Sequence, residues 1–367
     1  MRESLRVGLL FGGRSPEHEV SVRSARNVRR ALGEAGHAVV PIRISRAGRW
    51  TVEPDGDLTD EPAAEAPGAG GAGRPLLLAA DASGRLLAEG AGGALDPVEV
   101  DVVFPVLHGV NGEDGRVQGL LQTLGLPYVG PDVLASAVCM DKDVAKRLLV
   151  AAGVPVAASV TVRAGRPAPS FADLAGRLGP TLFVKPAGSG SSVGVARVEA
   201  EDALRSALDA AFRYDRKALV EEAVVGREVE VAVLGNEEPQ ASVPGEIVST
   251  AAFYDYDAKY VDAAAARMEV PADLAPDVAE RVRALAVEAY AALGCEGLAR
   301  VDFFLADDGR VLVNEVNTIP GFTERSMYPV MWERTGLAPP ALADRLVRLA
   351  LERHRRDAAL VTTWGDG

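Results

Sequence analysis

The first forty residues alternate between apolar runs and a helical spacing of apolar positions. Residues 7–11 form an apolar run that Gly12 and Gly13 end, and residues 39–44 form a second run. Between them, apolar side chains recur every three or four residues, at Val22, Ala25, Val28 and Leu32. A period near 3.6 predicts an amphipathic helix, and short apolar runs predict buried strands. The opening is therefore predicted to be a βαβ unit of an α/β domain.

The same patterns divide the rest of the chain. Residues 45–97 are rich in Gly, Ala, Pro and acidic residues, which predicts a loosely ordered insertion. The first domain resumes with a buried strand over 100–107 and a helix over 117–124. A later segment opens on the alternating strand REVEVAVL. The predicted domains are 1–138, 139–225 and 226–355, followed by a frayed tail over 356–367.

Composition and charge restrict the class of protein. The 367 residues suffice for two or three domains, and 48% hydrophobic with 25% charged residues is typical of a globular protein. No apolar run approaches the roughly 18 residues of a membrane span. A net charge of -13 argues against nucleic acid, which requires a dense basic surface. Cys139 and Cys295 lack CxxC or histidine partners, so we expect a reducing, cytoplasmic location without disulfides or zinc.

The strongest constellation is the stretch VDFFLADDGRVLVNEVNTIPG. It predicts a hairpin with a two-residue turn at Asp308 and Gly309, which places Asp302 opposite Glu315 and puts Asn317 on the same face as Glu315. Facing carboxylates repel unless a cation lies between them, and oxygen ligands of this kind suit magnesium. A solvated hairpin edge is the alternative, and a slipped register would separate these side chains.

A glycine- and serine-rich loop follows the predicted strand over 182–186, in FVKPAGSGSSVGVARV. Glycines let backbone N–H groups approach phosphate oxygens, and serine hydroxyls add donors, so the loop is predicted to hold an anion beside Lys185. No GK[ST] sequence closes it, so it is not a Walker P-loop. A flexible turn is the alternative.

The stretch AFYDYDAKYVD concentrates aromatic side chains in a chain that has few of them. Tyr254, Tyr256, Lys259 and Tyr260 lie in this short polar segment. Such a loop can close over a site and exclude water. A surface loop with an aromatic anchor is the alternative.

Three further polar residues are predicted to face the same cleft. Glu17 follows the first strand, where α/β sheets gather ligands, although a helix N-cap at Ser15 or Ser21 also explains this segment. His108 follows the buried strand over 100–107, although a hydrogen-bonded structural histidine is the commoner outcome. Arg300 lies two residues before Asp302, and it is therefore predicted to neutralise negative charge beside the metal.

Together these motifs resemble the ATP-grasp superfamily, and within it the D-alanine-D-alanine ligases. Seven motifs occur in the order of that family: GGRSPEHEVS, HGVNGEDG, MDK, KPAGSGSSVG, FYDYDAKY, GLARVDFF and NEVNTIPGFTERSMYP. The resemblance covers nearly the whole chain apart from residues 45–97. It implies a mixed α/β (α+β) ATP-grasp fold, in which an N-terminal parallel α/β domain precedes two α+β domains that sandwich ATP.

The resemblance also implies a role for individual residues around the nucleotide. Asp302, Glu315 and Asn317 correspond to ligands of two magnesium ions, for which manganese can substitute. Ser192 would cover the phosphates, and Glu228 would bind the ribose. The adenine and phosphate contacts implied by resemblance are Lys142, Lys185, Lys259, Glu221, Ala223 and Val224.

The implied substrate contacts lie on the other motifs. Glu17 would bind the ammonium of the first D-alanine with His108 nearby, and Ser191 and Tyr260 would connect Glu17 to the closing loop. Arg300 and the backbone N–H of Gly321 would stabilise the oxyanion. The implied contacts of the second D-alanine are Ser326, Met327 and Lys259.

Two alternatives to a D-alanine-D-alanine ligase remain. Ligases that make D-alanyl-D-lactate or D-alanyl-D-serine resemble the same pattern, but Tyr260 favours D-alanine, because the D-lactate enzymes carry histidine near this position. A regulator that binds nucleotide without catalysis would be expected to lose some of the residues Arg300, Asp302, Glu315 and Asn317, and all are present. The family also implies a homodimer that contributes to peptidoglycan precursor synthesis.

Overall fold

The computed structural model describes residues 4–54, 58, 73–79, 83–190, 193–249 and 266–361. The helices are α1 His18–Glu34, α2 Arg116–Thr123, α3 Val133–Met140, α4 Lys142–Ala151, α5 Phe171–Leu178, α6 Glu201–Ala211, α7 Pro276–Ala292, α8 Met327–Arg334 and α9 Pro339–Ala358. A short 3₁₀ turn spans Ala91–Gly93. In this described part, no helix is both long and apolar enough to cross a membrane.

The first sheet has seven strands in the order β6-β5-β4-β3-β2-β1-β7. Parallel pairing joins β1 to β2 and β7, as the βαβ pattern predicts, and the remaining pairs are antiparallel. These strands are β1 Arg6–Gly12, β2 Ala38–Ile44, β3 Trp50–Val52, β4 Arg74–Leu78, β5 Leu86–Glu89, β6 Leu95–Val98 and β7 Val102–Val106.

The prediction of a loosely ordered insertion over 45–97 is wrong for the part that the structure describes. Four strands of the first sheet, β3 to β6, come from this segment. Leu76, Leu86, Ala88 and Val98 are buried in one cluster with Leu10 of β1. The composition of residues 45–97 is an average over the whole segment. It therefore does not reveal apolar residues that alternate with a period of two in short strands.

The middle segment forms a four-stranded antiparallel sheet in the order β10-β9-β11-β8. Leu174 of α5 and Leu204 of α6 pack with Val184 and Val220 in the core beneath it. Lys185 near the end of β9 and Glu221 of β11 form an ion pair on this layer. The strands are β8 Ser159–Arg163, β9 Leu182–Pro186, β10 Ala196–Val198 and β11 Lys217–Glu222.

The third sheet follows the order β15-β14-β12-β16-β17, with β13 paired to β12. Helix α7 packs on it through Val282 and Ala286. Cys139 and Cys295 lie in the same core as free thiols, with 3.6 Å between their sulfur atoms. The strands are β12 Gly226–Gly235, β13 Gln240–Ala241, β14 Gly245–Ser249, β15 Ala266–Glu269, β16 Gly297–Ala306 and β17 Val311–Asn317.

The β16-β17 hairpin pairs Asp302 with Glu315, as predicted, but through a different turn. The N–H of Ala306 donates to the carbonyl of Arg310, so the loop has three residues, and Gly309 adopts a positive φ of 87°. This is the turn that glycine in the left-handed region favours. A bulge beside Asp302 then shifts the register by one residue. The two one-residue deviations cancel, and the predicted pairing results.

The first and third segments share a core. Helix α9 packs on α1, and buried residues such as Phe11, Val28, Leu346 and Val347 form one cluster. His37 lies 3.1 Å from a carboxylate oxygen of Asp344 in this buried contact. The C-terminal helix therefore completes the packing of the first domain.

Candidate active site

A cavity of about 720 Å³ is lined by residues from all three segments. The N-terminus of α1, the β7–α2 loop, α4 and the β16-β17 hairpin each contribute side chains. Nine residues singled out from the sequence line it: Glu17, His108, Lys142, Arg300, Glu315, Asn317, Gly321, Ser326 and Met327.

The remaining predicted site residues fall into two groups. Lys185, Glu221, Ala223, Val224, Glu228 and Asp302 are described but do not line this cavity. Of these, Lys185 and Asp302 contact cavity side chains or their neighbours, whereas Glu228 is exposed on β12. The residues outside the described chain are Ser191, Ser192, Lys259 and Tyr260, with Tyr254 and Tyr256 of the same loop.

The two carboxylates among the predicted metal ligands are paired with the protein's own cations. The guanidinium of Arg300 donates to both carboxylate oxygens of Asp302 at 2.7 Å, and its Nε lies 3.1 Å from Glu230. The ammonium of Lys142 lies 3.0 Å from Glu315. Burial alone would lower the pKa of Lys142, but Glu315 holds it above the ordinary value. These carboxylates are therefore neutralised from both sides of the hairpin.

The chemistry of this donor set fits a magnesium ion. The Oδ1 atom of Asn317 is buried and has no hydrogen-bond partner among the described residues. Such an oxygen is costly to bury unless it gains a ligand. Within the described ranges, no group of three or more His, Cys, Asp or Glu is arranged to hold a metal. The predicted set differs from such groups because it combines two carboxylates with an amide oxygen.

A buried lysine pair surrounds Glu221 at the end of the middle sheet. The ammonium groups of Lys146 and Lys185 lie 2.7 and 2.6 Å from its two carboxylate oxygens. Burial alone would raise the pKa of Glu221, but the two lysines bring it below the ordinary value. Lys185 also donates to Asn314 at 3.3 Å. Two ammonium groups are thus fixed near the hairpin, where negative phosphate charge is predicted.

His108 is held by hydrogen bonds on both ring nitrogens. Its Nδ1 lies 3.0 Å from the carbonyl of Ile319, and its Nε2 lies 3.3 Å from the hydroxyl of Ser24. The same hydroxyl accepts from the N–H of Phe322. Burial lowers the pKa of His108, so the ring is neutral at pH 7. His108 therefore connects α1 to the loop that carries Gly321.

Gly321 is fixed by a close approach to Ser326. A Cβ atom at residue 321 would lie 2.8 Å from the Ser326 hydroxyl, so a larger residue would displace it. That hydroxyl accepts from the N–H of Thr323 at 2.9 Å. Ser326 precedes α8 directly, which places its side chain and Met327 at a helix N-terminus that favours anions.

Several cavity or contact residues were missed from the sequence. Glu113 lies in the motif HGVNGEDG and lines the cavity. Asn314 reaches Lys185 because the bulge turns it towards the same side as Glu315. Lys146 follows Lys142 by four residues, so helical spacing could have placed both on one face. Glu230 lies two residues after Glu228 on the alternating strand β12, but no motif singled it out.

Two family profiles and a curated relative match this chain over most of its length. The family profile described as D-ala D-ala ligase N-terminus matches residues 6–131, and the one described as D-ala D-ala ligase C-terminus matches residues 148–348. The chain is 49% identical to D-alanine–D-alanine ligase A of Escherichia coli (strain K12) over 367 residues, which covers 98% of this chain and 100% of the relative.

Two solved structures share the fold over nearly the full length. The D-alanine-D-alanine ligase from Coxiella burnetii superposes with a TM-score of 0.86 at 39% identity, covering 97% of this chain and 96% of that chain. The VanG D-Ala:D-Ser ligase from Enterococcus faecalis superposes with a TM-score of 0.84 at 36% identity, covering 95% and 100%.

Proposed function

This chain belongs to the D-ala D-ala ligase family, and we propose that it joins two D-alanine molecules into D-alanyl-D-alanine while ATP is converted to ADP and phosphate. The observation that carries the proposal is that one cavity is lined by Glu17, Arg300 and Lys142. These groups suit an ammonium, a developing oxyanion and a phosphate, respectively. The dipeptide would serve peptidoglycan precursor synthesis.

In the first step, a carboxylate oxygen of D-alanine attacks the γ-phosphorus of ATP, and ADP leaves. Glu17 holds the ammonium of this D-alanine, and Lys142 and Lys185 offset the charge of the phosphates. Phosphoryl transfer depends mainly on positioning and electrostatic stabilisation, which fixed ammonium groups supply. The product is D-alanyl phosphate, in which the carbonyl carbon carries phosphate as a good leaving group.

In the second step, the amine of another D-alanine attacks that carbonyl carbon, and phosphate leaves. The guanidinium of Arg300 and the N–H of Gly321 donate to the oxyanion that develops. Ser326 and Met327 contact the second D-alanine, and the family resemblance implies that Lys259, which lies outside the described residues, also binds its carboxylate. The Gly321–Ser326 approach supports this arrangement, because it fixes both groups relative to each other.

The proposal includes magnesium, a cytoplasmic location and a homodimer. Asp302, Glu315 and Asn317 are the residues that would hold magnesium, which supplies positive charge to phosphate oxygens when bound. The buried, unpartnered Oδ1 of Asn317 supports this assignment among the residues described. The location and the homodimer follow from the family resemblance, and sedimentation of the purified protein would test the dimer.

D-serine is a second candidate for the attacking amine. The similarity to the D-Ala:D-Ser ligase from Enterococcus faecalis favours it. The tyrosine-bearing loop over 253–260, which favours D-alanine on sequence, lies outside the described residues. Selectivity at the second site is therefore the part of the proposal that requires a direct assay.

The deciding experiment combines the purified protein with ATP, magnesium and D-alanine, and detects phosphate together with dipeptide mass. L-alanine, D-serine and D-lactate are supplied in parallel, each alone and with D-alanine. We expect D-alanyl-D-alanine as the main product. A mixed product with D-serine or D-lactate would reassign the second substrate, and ATP binding without any product would contradict the ligase function.

A further inference from the structure

We propose that Glu113 is a second carboxylate that binds the ammonium group of the first amino-acid substrate. This inference rests on the proposed function and extends it. Glu113 lies in the loop between β7 and α2, and its side chain lines the same cavity as Glu17 and His108. It is buried, with 9% of its surface exposed.

Glu113 and Glu17 both approach the backbone of Gly109. The Oε1 atom of Glu113 accepts from the N–H of Gly109 at 2.9 Å. A Cβ atom at Gly109 would lie 2.8 Å from the Oε2 atom of Glu17. Gly109 has a positive φ of 72°, so a glycine is favoured here on both counts. Two carboxylates thus converge on one short backbone segment at the cavity wall.

The second carboxyl oxygen of Glu113 is the atom that would accept from the ligand. Its Oε2 atom is buried and has no hydrogen-bond partner in the part of the chain that the structure describes. Leaving such a group unsatisfied is unfavourable, so a donor is expected to reach it when substrate is bound. An ammonium carries three N–H donors and can bond to Glu113 and Glu17 together.

The electrostatic surroundings also favour a cationic ligand. Burial and the nearby charge of Glu17 raise the pKa of Glu113 to about 8, and Glu315 acts in the same direction. Lys142 opposes them, but its ammonium is engaged by Glu315 and by the carbonyl of Ser189 at 2.9 Å. A cation placed between Glu17 and Glu113 would relieve this repulsion.

A purely structural role as a loop cap is the competing explanation, since Oε1 already bonds Gly109. The substitution Glu113→Gln separates the two roles. Its carbonyl can still accept from Gly109, but its NH₂ group donates and cannot accept from an ammonium. Glu113→Gln therefore preserves the cap and removes the proposed contact.

The experiment isolates the first half-reaction with hydroxylamine, which displaces phosphate from the acyl phosphate and yields a hydroxamate. KM for D-alanine, KM for ATP and kcat are measured for the wild type and for Glu113→Gln. Asp114→Asn is the matched control, because Asp114 bonds the loop N–H groups of Asn111 and Arg116 but does not line the cavity. Thermal unfolding of each variant verifies the fold.

We expect KM for D-alanine to rise about 10- to 100-fold in Glu113→Gln, the effect of one charged hydrogen bond. The ammonium keeps its charge while the carboxylate reacts, so the contact is equal in ground and transition states and kcat should change less than about threefold. KM for ATP should not move, and Asp114→Asn should behave as the wild type.

Three outcomes would overturn the inference. They are an unchanged KM for D-alanine, a fall in kcat that exceeds the rise in KM, or the same loss in Asp114→Asn. Absence of ATP-dependent hydroxamate from the wild type with D-alanine would instead contradict the proposed function, and this inference with it.

Discussion

Two sets of charged side chains in or beside the cavity, here called the balanced wall and the acidic wall, differ in how their charges are balanced. Of the balanced wall, Lys142, Arg300, Glu230 and Glu315 line the cavity itself. The balanced wall contains four cations, each within 3.1 Å of at least one of four carboxylates: Lys142, Lys146, Lys185 and Arg300 against Glu221, Glu230, Asp302 and Glu315. The acidic wall contains Glu17 and Glu113 beside His108, whose pKa is lowered by burial. The four cations and four carboxylates of the balanced wall offset one another, whereas in the acidic wall the charge of Glu17 helps to raise the pKa of Glu113.

The difference indicates what each wall is prepared to bind. A neutral set of fixed charges can take up a nucleotide together with its metal ions, because the added charges offset each other and the lysines and carboxylates exchange partners. Two neighbouring buried carboxyl groups are stabilised by a cation and destabilised by an anion. The balanced wall therefore suits the phosphates of the nucleotide, and the acidic wall suits the ammonium group of the amino acid.

The largest effect is expected from Asp302→Asn in the balanced wall. The substitution keeps the shape but removes the charge that Arg300 and the proposed metal share, so kcat should fall by about 10³-fold or more. Phosphate release at saturating magnesium measures this. Asp308→Asn in the exposed hairpin loop is the control and should retain full activity. Near-normal turnover of Asp302→Asn would remove Asp302 from the metal site.

A smaller effect is expected from Lys146→Met, which breaks the balance around Glu221. Removing one partner of a buried ion pair leaves charge uncompensated, and we expect a loss of about 3 kcal/mol in the free energy of unfolding. Arg147→Met, at the exposed neighbouring position, should cost about 0.5 kcal/mol or less. Chemical denaturation of both variants provides the measurement. Equal stability would show that Lys185 alone neutralises Glu221.

The acidic wall predicts a change of opposite sign for Glu113→Gln. The folded protein retains a proton on Glu113 up to a pKa of about 8, whereas the unfolded chain loses it near 4.5. Stability therefore falls as the pH rises between these values. A pKa shift of this size is worth at most about 5 kcal/mol, so at pH 9 the variant should exceed the wild type by roughly 2 to 5 kcal/mol, with no gain at pH 4. A variant that is less stable at both pH values would contradict this assignment.

The smallest expected signal is proton release on substrate binding. At pH 7, Glu113 holds a proton in the empty site because its pKa is about 8. An ammonium beside it lowers that pKa, so binding of D-alanine should release somewhat less than about one proton per site. Calorimetry in two buffers of different ionisation enthalpy measures the number. The same release from Glu113→Gln would assign the proton to another group.

The sequence predicts the central strands of the first sheet but not its edge strands. Residues 7–11 and 39–44 were identified because long apolar runs flank a helical period. The strands between residues 50 and 98 are three to five residues long, too short for a period to stand out from their Gly- and Pro-rich surroundings. Patterns in the local sequence therefore predict too few strands when the edge of a sheet consists of short strands.

The site shows a similar division. Asp302, Glu315 and Asn317 were predicted from residue type and spacing, although the three-residue loop and the bulge reached the same pairing by another route. The raised pKa of Glu113 could not be predicted from the sequence, because it depends on burial and on Glu17, which is distant in sequence. Chemistry that arises from a tertiary environment has no local signature.

The shared core of the first and third segments has a consequence for the order of events during synthesis. Phe11, Val28 and their neighbours are covered by Leu346 and Val347 of α9, near the end of the chain. The guanidinium of Arg353 then donates to the carbonyl of Tyr128 at 2.9 Å. An emerging N-terminal domain would normally fold first on the ribosome. Here the apolar face that α9 covers stays exposed until α9 itself has been synthesised, so this part of the N-terminal core forms late.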